Sequence, residues 1–381
     1  MRNISSKEYY NTTMSMLLLG LNLVTTVGIA QQKQTLKEAY NGKFVIGAAV
    51  NEAQFSGRDT LGAMLVATQF NSITPENALK WQSVHPKPNQ YNFEAADRYV
   101  AFGEKNHMTI IGHTLVWHNQ TPRWVFQDDS GKDVSKEKLL ERMRDHITTV
   151  VGRYKGRIKG WDVVNEAIID DGSFNQSKWL KIIGEEFIAK AFQFAHEADP
   201  QAELYYNDFS MENIPKRMGA IALIKKLKAQ GITITGVGLQ GHFQLDWPSI
   251  GQLDSTITEF AQLGVKVMIT ELDVDALPQP DWTATAEITK RFQYSEKMDP
   301  YKAGLPDSMQ QVLANRYADL FAVFNKDKKY MSRVTFWGVT DRGSWLNGFP
   351  IRGRTNYPLL FDRTGKPKRA LEAVLKVAGN P

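Results

Sequence analysis

The tetrapeptide Val-Asn-Glu-Ala occurs twice in the chain, at residues 50–53 and again at residues 164–167. Each copy follows a short apolar run, so Glu52 and Glu166 both stand where a strand would end. A third carboxylate, Glu271, follows the apolar run VKVMIT, and Asp273 shares its strand face two residues on. Metal and nucleophile chemistries fit the chain poorly. His113 and His118 are five apart in a strand-like segment, so they point to opposite faces and cannot form one site together. Neither HExxH nor a GxSxG elbow occurs. What remains is carboxylate surrounded by Trp, His, Asn and Gln. That set suits hydrolysis of a glycosidic bond, which needs one carboxyl kept protonated and another ionised.

Glu166 and Glu271 make the best pair. An ionised neighbour and an imidazole such as His242, on the adjacent strand, could hold Glu271 charged. A buried carboxyl beside a negative neighbour binds its proton more tightly, as a general acid at neutral pH requires. Glu166 fits that description, with the flat Trp161 in the same strand. Glu52 also ends a strand, and the residues alone prefer Glu166 only slightly. The tetrapeptide does not separate the copies.

Positioning such residues is the work of the elements around them. From about residue 40, short apolar segments alternate with longer amphipathic ones. The strand candidates are KFVIGAAV, FNSIT, MTIIGHTLVWH, IKGWDVV, AELYYND, TGVGLQGHF, VKVMITELDV and VTFWGVT. Helical spacing is clearest in SKEKLLERMRDHITTVVGRY, SKWLKIIGEEFIAKAFQFAHEA and IPKRMGAIALIKKLKAQ. This alternation predicts an α/β fold, a single-domain (β/α)8 TIM barrel. No glycine-rich phosphate loop follows the first strand, which weakens a dinucleotide-binding alternative. Nearly every strand runs into polar and aromatic residues: TPENALKW, HTLVWHNQ, VNEA, YND, QGHF, TELD and WGVTDRGSW. In a barrel these ends converge on one face, where active sites are built. The stretch from Pro278 to Pro306 is expected to be a loop after the TELD strand.

The bulk composition bounds the rest. The chain has 381 residues, 42% apolar, enough for one large core. Length alone would suggest two domains, but barrels of this type commonly use about 250 residues or more as one. A net charge of +5, with no basic run interleaved with aromatics, argues against a nucleic-acid partner. There is no Cys, which excludes disulfides and thiolate metal sites. Arg2 and Lys7 precede the apolar stretch MSMLLLGLNLVTTVGIA, which is short for a membrane span and ends in small residues. Residues 1–30 are therefore expected to be a signal peptide cleaved after Ala30. The barrel would occupy residues 31–381 of an exported protein, periplasmic or extracellular, with no membrane attachment after cleavage.

With these motifs in order, the chain resembles the endo-β-1,4-xylanases of glycoside hydrolase family 10. The resemblance runs from about Lys43 to the C-terminus and rests on ENALKW, HTLVWHNQTP, GWDVVNEAI, YYND, GLQGH, ITELDV and WGVTDRGSWL. It implies that Glu166 is the acid/base and Glu271 the nucleophile of a retaining reaction, without cofactor or metal. It gives Glu52 no such role; Glu52 would instead shape the mouth of the first strand. Glu76, Asn77 and Lys80 would bind sugars on the non-reducing side of the cleavage point. His113, Trp117 and Asn165 would line the subsite of the reacting xylose, with Asn165 placed for its 2-hydroxyl. Gln120 and Gln240 would contact further sugars. His242 would bond the nucleophile, held in turn by Asp273. Trp337 and Trp345 would wall the cleft against a hydroxymethyl group at C5. The implied partners are xylan and xylo-oligosaccharides, met by a monomer.

One departure stands out. The family often has Tyr after the Asn-Asp pair, whereas this chain has Phe209, which keeps a ring but no hydroxyl. No added carbohydrate-binding domain is evident. The resemblance leaves room for a β-1,3-xylanase or a cellulase-like relative on the same barrel, or for a sugar-binding barrel without catalysis, because fold does not fix substrate.

Overall fold

A computed structural model of the chain describes residues 34–280 and 291–379. The expected signal peptide lies outside the described residues, as does part of the loop expected from Pro278 to Pro306. The strands are β1 (Val45–Val50), β2 (Ser72–Pro75), β3 (Thr109–Val116), β4 (Gly160–Asn165), β5 (Glu203–Asp208), β6 (Gly236–Leu239), β7 (His242–Gln244), β8 (Lys266–Asp275) and β9 (Met331–Phe336). Every pairing is parallel. β1 through β6 pair in sequence, β6 pairs β8, β8 pairs β9, and β9 returns to β1 through Val45 and Arg333. Eight strands thus close a barrel, with helices between them, which is the (β/α)8 architecture.

The closed barrel explains why its strands read as near-continuous apolar runs. Strands covered on both sides have no solvent face to encode, and β4 is buried from end to end. Outside it, the helix Lys136–Arg153 starts at Ser135, whose hydroxyl accepts from the Lys138 amide. That helix buries Leu139, Met143, Ile147, Val150 and Val151, spaced at one helical face. One expected helix is divided: Lys178–Ile183 ends at its C-cap Gly184, and Glu186–Ala198 starts anew. The loop after β8 carries a short 3-10 turn at Glu296–Met298.

One break in the expected strands shapes the open end. The sixth strand was expected to run unbroken through GHF. Instead Gly241 adopts φ +83°, so β6 stops at Leu239 and β7 resumes against the outer end of β8. A Cβ at 241 would meet the Ile269 side chain at 2.7 Å and force a strained backbone. The kink lets the Gln240 carbonyl accept from the Glu271 amide at 2.6 Å and pairs His242 with Asp273. β8, for its part, does not end at Glu271 but continues to Asp275.

Candidate active site

Side chains from several strand ends line one cleft of about 240 Å³: Glu76, Lys80, His113, Trp117, Asn165, Glu166, Gln240, His242, Glu271 and Trp337, with Asn77, Gln120, Arg291, Trp345 and Phe349 completing the lining. A larger depression of about 700 Å³ lies elsewhere, against the helix Lys136–Arg153, but neither Glu166 nor Glu271 reaches it. The smaller cleft is the one that brings Glu166 and Glu271 together at the strand ends, which marks a candidate site better than volume does.

Glu166 follows directly on β4 with φ +58°, a left-handed conformation uncommon for Glu. Its carboxyl is 5% exposed. Oε2 accepts from the Trp117 indole at 2.6 Å, and Oε1 accepts from Asn165 and Gln240, each at 3.0 Å. Burial raises its proton affinity above the ordinary carboxylate range; the nearby Asp208 adds to that, while His118 and the amide and indole donors oppose it. Its surroundings thus favour the protonated carboxyl.

Glu271, equally buried, is set the other way. Burial again pushes its proton affinity up, but hydrogen bonding from His242, the charges of His113 and His242, and the Asn207 amide together bring it below the ordinary range. His242 lies between two carboxylates, with Nδ1 3.0 Å from Asp273 and Nε2 3.3 Å from Glu271. Although burial disfavours its charge, those neighbours raise its pKa to about 10. It is an imidazolium donating to both. Trp345 steadies Asp273 through Nε1 at 2.7 Å, stacks on Phe349 and leans on the His242 ring.

Two amides join the opposed carboxyls. Asn207 donates through Nδ2 to Glu271 at 2.9 Å and to Asn165 Oδ1 at 2.8 Å, while Asn165 donates onward to Glu166. Thr270 fixes Asn207 by donating to its Oδ1 at 2.6 Å. Gly238, its neighbour on β6, has to be Gly, because a Cβ would sit 2.3 Å from that oxygen.

The remaining expected residues fall around this centre. Lys80 donates to Gln120 at 2.9 Å and to Asn77 at 3.3 Å, its ammonium 4.9 Å above the Trp117 ring. Burial lowers its proton affinity, against the pull of Glu271, Glu166 and Glu76. Glu76 is pushed up to about 7 by burial. His113 pairs with the buried Asp162 at 2.9 Å and meets Trp337 edge to face. Glu52 stays out of the cleft, paired with Arg98 at 2.9 Å and Arg58 at 3.6 Å.

Sequence reasoning passed over Asn207, Thr270 and Arg291. YND had been singled out as a polar strand end, which was the available signal for Asn207. The Thr270 hydroxyl sat inside a run that read as apolar. Arg291 lies in the loop after β8, where spacing gives no direction.

The model of "Glycosyl hydrolase family 10" matches residues 35–377. The chain is 44% identical over 359 residues to endo-1,4-beta-xylanase A of Xylanibacter ruminicola, covering 94% of this chain and 97% of that protein. It is similar to the solved structure of a GH10 endoxylanase from a sugarcane soil metagenome, at TM-score 0.87 and 49% identity, over 90% of this chain and 99% of that one. A solved mutant structure in complex with xylotriose is also similar, at TM-score 0.80 and 37% identity, over 90% and 99% of the two chains.

Proposed function

The chain belongs to glycosyl hydrolase family 10, and on that premise we propose that it is an endo-1,4-β-xylanase that cleaves internal bonds of xylan with retention of configuration. The observation that carries the residue assignment is the opposite setting of two buried carboxyls in one cleft. Burial raises the proton affinity of Glu166, while His242, His113 and Asn207 bring that of Glu271 below the ordinary carboxylate range. Pairs of groups pushed apart in this way mark the acid and the base.

Glu271 attacks the anomeric carbon of the reacting xylose while Glu166 gives its proton to the bridging oxygen. The bond to the leaving sugar breaks, and a glycosyl ester forms on Glu271. Glu166, now ionised, takes a proton from a water that attacks the same carbon, which frees Glu271 and restores the acid. Asn207 and the His242 imidazolium orient Glu271 during both steps. Glu76, Asn77, Lys80 and Gln120 would hold the sugars on the non-reducing side. Trp337 and Trp345 would leave no room for a hydroxymethyl group. The apolar stretch at residues 14–30 supports export of the enzyme to where xylan is met.

A proton NMR time course on a xylo-oligosaccharide tests the assignment. The β-anomer of the new reducing end should form first, and an initial α-product would overturn it.

A further inference from the structure

Directly behind Glu166 lies a buried ion cluster that takes no part in the steps above. Asp208, the last residue of β5, is fully buried, as is Lys216 in the first turn of the helix Ile214–Ala229. The Lys216 ammonium is 2.9 Å from Asp208 Oδ1, 3.9 Å from Asp170 and 3.5 Å from the centre of the Phe209 ring. Phe209 brings a bare aromatic face to the cation, an arrangement favourable in a desolvated site. Asp208 also accepts from the Tyr206 hydroxyl, from the Ile168 amide at 3.3 Å and from the Phe209 amide at 2.9 Å. The Tyr206 oxygen in turn accepts from the Ala167 amide at 3.2 Å.

Ala167 and Ile168 are the two residues after Glu166. Their amides, which β4 no longer pairs, are thus fixed by Asp208 directly and through Tyr206. A left-handed Glu persists only where its surroundings over-determine it. The Glu166 amide itself donates to the Asn207 carbonyl at 2.9 Å, so β5 holds three consecutive amides of this turn. A purely structural ion pair would not need to meet the chain at this point.

We propose that Asp208, paired with Lys216, is the positioning residue of the acid: it fixes the turn that carries Glu166. The proposal rests on Glu166 being the acid. The charged and titratable groups around Glu166 are His118 after β3, Lys80 after β2, Glu271 on β8 and Asp208 on β5. Beyond burial itself, the Asp208 charge strengthens the hold on the Glu166 proton and His118 weakens it, while burial raises the proton affinity of Asp208 against the pull of Lys216 and Tyr206.

The test is the pH dependence of kcat/KM in Asp208→Asn, which keeps the shape and removes the charge. Loss of a like charge lets Glu166 ionise sooner, so the basic limb should move to lower pH by about one unit. kcat on xylan should fall with KM held, because the turn matters to proton delivery rather than to sugar binding. The first step on an aryl xyloside with a good leaving group, which needs no proton, should keep its rate. An unmoved basic limb in a folded variant overturns the proposal, and so does an equal loss on both substrates. A lone Lys216 left in the interior could unfold the protein. The charge-balanced Asp208→Asn/Lys216→Met variant then carries the same expectations, and failure of both to fold would show the cluster to be structural only. Glu166→Ala assayed beside them for azide rescue reports on the acid assignment separately.

Discussion

The two Val-Asn-Glu-Ala copies end two strands of the same barrel, β1 and β4, yet they serve opposite purposes. In the first, Asn51 caps the short helix Glu52–Phe55 by accepting from the Gln54 amide, and Glu52 turns outward to Arg98 and Arg58, about half exposed. In the second, no helix begins after the Glu. The chain takes a left-handed turn at Glu166, and the same Asn-Glu pair bonds side chain to side chain inside the cleft. Sequence is identical over four residues; what differs is whether the next amides enter a helix or are held by a neighbouring strand. Helix entry throws Glu52 to the surface. The amides of Ala167 and Ile168, claimed by Tyr206 and Asp208, keep Glu166 within.

The largest effect that separates the copies is loss of the acid. Glu166→Ala should lower xylan hydrolysis by about 10²–10⁴-fold, the worth of a positioned proton donor. An aryl xyloside with a good leaving group should still load Glu271, and the ester should accumulate for want of a base. Added azide should then release it as the β-xylosyl azide. Azide rescue of Glu52→Ala and not of Glu166→Ala would reverse the comparison.

Next comes the Asn of each copy. Asn165 bridges Glu166 to Asn207 and hence to Glu271. A hydrogen bond to a charged or developing charge is worth about 1.5–3 kcal/mol, so Asn165→Ala should cost about 10- to 150-fold in kcat/KM. The loss should appear with stability changed little. If kcat/KM stays near that of the parent while melting falls, Asn165 resembles Asn51 after all.

The two carboxyl settings give the comparison a pH signature. Activity needs Glu271 ionised and Glu166 protonated. Since Glu271 lies below its ordinary range and Glu166 above it, the acid limb of kcat/KM should fall below pH 4.5 and the basic limb above it. Replacing His242 by Gln removes the imidazolium that favours ionised Glu271, which should carry the acid limb upward. Replacing Glu52 should move neither limb. An acid limb unchanged in His242→Gln would detach that limb from Glu271.

Much of this is legible in the sequence. Strand and helix periodicity disclosed the barrel because closed parallel strands and amphipathic helices leave different signatures. The convergence of polar strand ends then followed from topology. What stayed hidden were contacts set by backbone breaks. The Gly241 kink, which aligns Gln240 and His242 with β8, is invisible in an apolar run that simply contains Gly. Asn207 could be seen as a polar strand end, but its bond to Glu271 depends on Gly238 leaving space one strand away. The cluster of Asp208 and Lys216 was hidden for another reason: Lys216 sits in a helix start that reads as a solvated Pro-Lys-Arg.

A smaller effect belongs to Asn51. It accepts from the Gln54 amide at 3.3 Å while Gln54 accepts from the Asn51 amide at 3.0 Å, a reciprocal cap. Asn51→Ala should therefore lower unfolding stability by about 0.5–2 kcal/mol in a denaturant titration. Asn51 also favours the ionised form of Glu76, which lines the cleft, so a modest rise in KM is expected alongside. A fall in kcat larger than the rise in KM would place the first copy closer to the chemistry than its geometry allows.

The smallest effect is expected at Glu52 itself. Its carboxylate is half exposed, and one of its partners, Arg98, also bonds Glu94 at 2.5 Å. Exposed ion pairs contribute little, because water screens them and long side chains lose freedom in making them. Glu52→Ala should thus leave kcat/KM on xylan within about twofold of the parent, and equally so for the aryl xyloside, since neither step draws a proton from this position. Azide should yield no xylosyl azide, because Glu166 remains to turn the ester over. A selective loss on xylan, spared on the aryl xyloside, is the outcome that would sink the distinction, for it would mean that an exposed carboxylate outside the cleft delivers the proton.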